Sequence, residues 1–244
     1  MLVRSVLLCI AVAIPTVVQD KVTRETFSSS GATREYYLYV PPARDQAAEA
    51  PLLILLHGSG RDGKTLVDPW KDLAKKEGII LAGPNATNRQ EWELRKDGPY
   101  FIADLVDAIR VGHRIDLRRI YLFGHSAGAI QGLMLGLLES EYFAAVAVHA
   151  GALPPTSFDL IGMADRKIPF AIWVGTNDSF FPVRDVEATK AVMEAKGLTV
   201  ALKTITNHTH NYYQRSGEIN EEAWAFLKDR KLERNPKFKE YDMR

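Results

Sequence analysis

The sequence predicts a single α/β domain, a mostly parallel β-sheet with helices on both faces. Three observations carry this. Short apolar runs with strand character alternate along the chain with stretches of helical spacing. One run, Leu52-Leu53-Ile54-Leu55-Leu56, is apolar at every position, as a strand covered on both faces must be. The 244 residues contain no internal repeat, no low-complexity tract and no linker long enough to separate two domains.

The elements follow in order. Arg34 to Val40 alternates tyrosines with polar residues, the pattern of an edge strand, and Pro41-Pro42 ends it. After the central run, Thr65 to Glu77 spaces Leu66, Trp70, Leu73 and Ala74 helically, and Gly78 closes that helix. Ile79 to Ala82 is the next strand. Pro99 to Ile109 is a helix with proline in its first turn. A strand and a helix follow around Ile120 to Leu135, then strands at Phe143 to His149 and Ile168 to Val174. Val183 to Lys196 is a helix, Leu198 to Ile205 the last strand, and Ile219 to Leu232 a closing amphipathic helix. The segment between His149 and Ile168 is too short for a large lid, so a site at this sheet edge is open.

Composition narrows the function. Hydrophobic residues make up 46% and charged residues 25%, ordinary for a globular protein. A net charge of +1, without a basic patch interleaved with aromatics, argues against a nucleic-acid partner. The N-terminus reads as a leader: Arg4 supplies a positive start and Ser5 to Val18 is almost wholly apolar. That run matches a signal-peptide core and is short for a bilayer span. The expected organisation is therefore a processed segment over residues 1–19, the domain over 20–233 and a charged tail over 234–244. A retained anchor and a buried first strand are the alternatives for the leader. The single cysteine, Cys9, lies within it, so the remainder has no disulfide, thiolate nucleophile or cysteine metal site. A secreted or periplasmic location, without stable membrane association after processing, is expected.

The chemistry concentrates at Gly124-His125-Ser126-Ala127-Gly128. An apolar strand runs into Gly-x-Ser-x-Gly and a helix-compatible run leaves it, the order a nucleophile elbow requires. A serine hydroxyl needs a base, and the base an orienting carboxylate, in the chain order serine, acid, histidine. Asp178 stands at the end of the strand Ile172 to Val174, where open α/β sheets bind ligands. Of the six histidines only His208 and His210 follow the last strand. His208 is the preferred base and His210 the alternative. A two-histidine metal site is the competing reading, but no suitably spaced third ligand is evident, and no metal or cofactor is expected. His57-Gly58-Ser59-Gly60 follows the central strand, so the Ser59 and Ala127 amides are candidate oxyanion donors. Trp92, Phe180, Phe181, Tyr212 and Tyr213 fall near the mouth loops and are candidate substrate contacts, although each could equally be an ordinary core or loop aromatic.

Taken together, Leu56 to Gly63, Ile115 to Tyr121, Gly124 to Gly128 and Gly175-Thr176-Asn177-Asp178 resemble the α/β-hydrolase superfamily over Arg34 to Leu232. Within it the chain resembles the polyhydroxybutyrate depolymerase and feruloyl esterase group. Members commonly carry Gly-His-x-aromatic at the base. Here Asn207 replaces the glycine and His210 takes the aromatic position, which supports His208. Some related esterases place the base one residue before two tyrosines, which supports His210. The resemblance implies hydrolysis of a small-molecule or polymer-derived carboxylic ester through an acyl-enzyme, without a cofactor. A serine peptidase of the same fold and a non-catalytic binding module are the rivals.

Overall fold

The computed structural model describes residues 20–42, 45 and 47–239. The predicted leader with Cys9, and the last residues of the charged tail, lie outside the described residues. One eight-stranded sheet forms the centre, in the order β1-β2-β4-β3-β5-β6-β7-β8. The strands are β1 (Thr23–Ser29), β2 (Ala32–Tyr39), β3 (Ala50–Leu56), β4 (Ile80–Pro84), β5 (Ile115–His125), β6 (Ala145–His149), β7 (Pro169–Gly175) and β8 (Thr199–Ile205). Pairing is antiparallel between β1, β2 and β4, and parallel from β4 across to β8.

Helices cover both faces. Helices α1 (Lys64–Glu77) and α5 (Ser216–Leu227) pack Leu66, Val67, Trp70, Ile219, Ala223 and Trp224 against one face, with Leu53 and Leu55 of β3. Helices α2 (Pro99–Gly112), α3 (Ala127–Leu138) and α4 (Val183–Ala195) pack Phe101, Leu105, Leu133, Val186 and Met193 against the other, with Leu52, Ile54 and Leu56. Alternate residues of one fully buried strand thus feed two cores, and each large aliphatic or aromatic side chain sealed there contributes roughly 1.5–3 kcal/mol.

One sequence expectation is corrected at the margin. The strand starting near Arg34 is second in the sheet rather than its edge, because Thr23–Ser29 forms a hairpin with it through Ser30-Gly31, both at positive φ. Its sequence, TRETFSS, is mostly polar, since only Phe27 and Ser29 are buried. The tail beyond the domain is also seated as far as it is described. Lys237 donates its amide to the Glu141 carbonyl, and the Phe238 ring lies against Tyr100 and Tyr142. No large lid separates β6 from β7; a 3-10 turn over Pro155–Met163 fills that interval.

Register decides where the site sits. Leu56 pairs with Gly124, His125 with His149, His149 with Trp173, and Gly175 with Ile205. The C-terminal ends of β3, β5, β6, β7 and β8 are therefore level, and their following loops gather along one edge.

Candidate active site

Ser126 sits between β5 and α3 with φ 58° and ψ −120°, a conformation that a residue with a side chain adopts only under constraint. The turn is tight. A Cβ on Gly128 would lie 1.9 Å from the Leu56 carbonyl oxygen, so only glycine lets α3 start this close to β3. The Ser126 amide donates to the His149 carbonyl, which fixes the elbow to β6.

The ring that meets Ser126 is that of His210, not His208. His210 Nε2 lies 2.9 Å from Ser126 Oγ, and its Nδ1 lies 2.9 Å from Asp178 Oδ2. Asp178 is buried, and its other oxygen accepts the amides of Phe180 and Phe181 at 2.9 Å each. The carboxylate is therefore held by its own turn and spends its free oxygen on the imidazole.

The preference for His208 fails because its ring points inward. His208 is buried, and its Nε2 lies 3.1 Å from His149 Nε2; the other nitrogen of His149 lies 3.1 Å from His125 Nδ1. Three histidines are thus joined end to end beneath the site. Each contact needs one protonated and one bare nitrogen, which neutral rings supply by donating at one nitrogen and accepting at the other. Desolvation lowers the pKa of all three, with His125 brought to about 3 and His149 well below its ordinary value. The backbone enforces the inward turn. The Asn177 amide donates to the His208 carbonyl, and a Cβ on Gly175 would lie 2.1 Å from that oxygen. The loop after β8 is clamped to the loop after β7 at His208, and two residues later His210 emerges on the cleft side.

The remaining predicted residues divide. Ser59 lines the cleft beside Ser126. Ala127 opens α3, so its amide is among those a helix leaves without an intrahelical acceptor. Phe180 lines the cleft and is 73% exposed, its ring 4.8 Å from that of His210. Phe181 stacks on the same imidazole but packs partly into the core. Trp92 is drawn away: its indole donates to the His57 carbonyl and its ring rests on the His57 ring. His57 is itself structural, accepting the Ala86 amide at Nε2. Tyr212 is fully buried under His125 and donates to Asn220, which leaves Tyr213 at the cleft. Arg61, not singled out by sequence, also lines the cleft. The cleft measures about 600 Å³.

With this geometry in view, the comparisons with known proteins are specific. The phospholipase/carboxylesterase family model matches residues 87–222, more than half of the chain. The chain belongs to the phospholipase/carboxylesterase family. The matched region of this α/β-hydrolase contains Ser126, Asp178 and His210. The bifunctional acetylxylan esterase/xylanase XynS20E of Neocallimastix patriciarum is 29% identical over 162 residues, which is 64% of this chain and 23% of that protein. The poly(3-hydroxybutyrate) depolymerase of Ralstonia pickettii is 25% identical over 158 residues, 55% of this chain and 32% of that one. This esterase-family chain thus spans under a third of either relative. The ferulic acid esterase AmCE1/Fae1A of Anaeromyces mucronatus superposes with a TM-score of 0.69 at 17% identity, covering 86% of this chain and 90% of that one. At that identity the superposition shows a shared fold.

Proposed function

We propose that the protein hydrolyses carboxylic esters through an acyl-enzyme on Ser126. The observation that carries this is the paired 2.9 Å contacts of His210, one nitrogen to the serine hydroxyl and the other to a buried aspartate. In the proposed reaction His210 Nε2 takes the Ser126 proton as Oγ attacks the ester carbonyl. Asp178 holds Nδ1 protonated and stabilises the imidazolium that forms. The Ser59 and Ala127 amides receive the developing oxyanion, and loss of one such donor typically costs about 3 kcal/mol. Collapse of the tetrahedral intermediate expels the alcohol, protonated by His210. Water then repeats the sequence to release the acid.

The substrate proposed is a small-molecule or polymer-derived ester. An open cleft, with no lid over the β6–β7 interval, supports access for a bulky chain. Export rests on the apolar run Ser5 to Val18 alone. The test is covalent labelling by a fluorophosphonate probe together with p-nitrophenyl ester turnover. Ser126→Ala should abolish both, and His210→Ala should lower kcat by about 10⁴-fold or more. Cleavage of aminoacyl anilides without ester cleavage would replace the esterase reading by a peptidase one.

A further inference from the structure

The loop after β3 carries Arg61 into the cleft, two residues beyond Ser59. Its guanidinium carbon lies 5.3 Å from the centre of the Tyr213 ring, and among the described residues it makes no ion pair. The twelve residues lining the cleft include no aspartate or glutamate. Asp178 is sealed behind His210, with both its oxygens occupied. Within the cleft itself, no lining carboxylate faces this exposed guanidinium. Tyr213 lies within cation–π distance of that group, and a guanidinium carries five N–H donors, more than one such contact uses.

We propose that Arg61 binds a carboxylate on the substrate, so that the ester preferred at Ser126 carries a free acid group elsewhere in the molecule. This rests on the esterase reading above. On its other side Arg61 lines a second depression with Thr65, Asp68, Pro69, Asn211 and Tyr213, where the Asp68 carboxylate is already paired with Lys64. The planar fork of arginine matches a carboxylate with two parallel hydrogen bonds. Arg61 is free to present that fork because its own position is held by backbone, its amide donating to the Gly58 carbonyl at 3.2 Å.

The test compares paired esters. In the acyl arm, p-nitrophenyl hydrogen adipate is set against p-nitrophenyl hexanoate; in the alcohol arm, 4-acetoxybenzoate against its methyl ester. The readout is the ratio of kcat/KM for the acid over its neutral partner. Arg61→Ala and Arg61→Gln should lower that ratio about tenfold or more in at least one arm, through KM, with Arg61→Lys intermediate. The arm that responds places the carboxylate on the acyl or the alcohol side. Added salt should shrink the wild-type ratio. A ratio unmoved by Arg61→Ala in both arms overturns the proposal while leaving ester hydrolysis standing. Binding of 4-acetoxybenzoate to Ser126→Ala, with and without Arg61→Ala, separates the two readings. Arg61-dependent binding without wild-type turnover would sink the esterase reading and keep this one.

Discussion

The three buried histidines predict a specific acid sensitivity. His125, His149 and His208 cannot all be protonated and still bond one another, and burial lowers the pKa of each. A histidine whose folded pKa lies below its unfolded value of about 6.5 destabilises the fold as it is forced to remain neutral in acid. The associated stability is whole above about pH 6.5 and is lost as pH falls towards the folded value, about 3 for His125. Each tenfold rise in proton activity in that window costs about 1.4 kcal/mol per histidine. At about pH 4.5, two decades below the unfolded value, His125 alone accounts for about 3 kcal/mol. That is a sizeable part of the 5–15 kcal/mol typical of a domain. The perturbation is His125→Asn, whose side-chain amide reaches the position of Nδ1 and bonds His149 without titrating. Urea unfolding of both proteins at about pH 7 and pH 4.5 gives the four midpoints needed. The variant should lose about 3 kcal/mol less than wild type on acidification. Equal losses in the two proteins would refute the assignment of acid sensitivity to this chain of rings.

Three further outcomes follow from single contacts. Arg34 and Asp97 form a largely buried ion pair at 2.6 Å, and Asp97 also takes the Thr87 and Glu93 amides; Arg34→Ala should cost about 3–5 kcal/mol in denaturant, partly recovered by adding Asp97→Asn. Gly128→Ala drives a methyl into the Leu56 carbonyl and should cost at least about 3 kcal/mol or prevent folding, read by thermal melting. His208→Asn should lower the melting temperature while reducing kcat less than about 100-fold, far short of the His210→Ala loss; a larger fall than His210→Ala would return the base to His208.

How much could be read from sequence depends on the range of the interactions involved. The elbow was legible because its constraint is local: Gly-x-Ser-x-Gly must sit between a strand and a helix, and β5 and α3 flank it. The central strand was legible because burial on two faces leaves no polar position between Leu52 and Leu56. The choice between His208 and His210 was not legible. It turns on the close approach of two loops, with the Gly175 position lying against the His208 carbonyl and the Asn177 amide bonded to it. Nothing within Asn207 to Tyr213 encodes that contact. Nor was it legible which of the two candidate tyrosines stays at the cleft, since Tyr212 goes inward to partners outside its own loop, His125 of β5 and Asn220 of α5. Strand β1 was missed because an exposed edge strand needs few apolar residues, and Thr23–Ser29 supplies few.

The inward histidine is not wasted by the fold. Its chain spans three of the strand ends that build the site: His125 at the end of β5, His149 at the end of β6, and His208 just beyond β8. Ser126 follows the first of these rings directly, and His210 follows the last by two residues. A hydrogen-bonded ladder between β6, β7 and β8 fixes the strands but stops where the loops begin. Beyond that point backbone bonds hold Ser126 to His149 and Asn177 to His208, and the imidazole chain adds a side-chain link between the Ser126 and His210 loops. Aliphatic side chains could fill the same volume but would impose no direction. Charged groups would impose direction but demand counter-charges beneath an active site that already holds Asp178. Neutral imidazoles, planar and bonding at both ends, orient the two loops without adding charge, and their dependence on neutrality is what makes the predicted acid loss diagnostic.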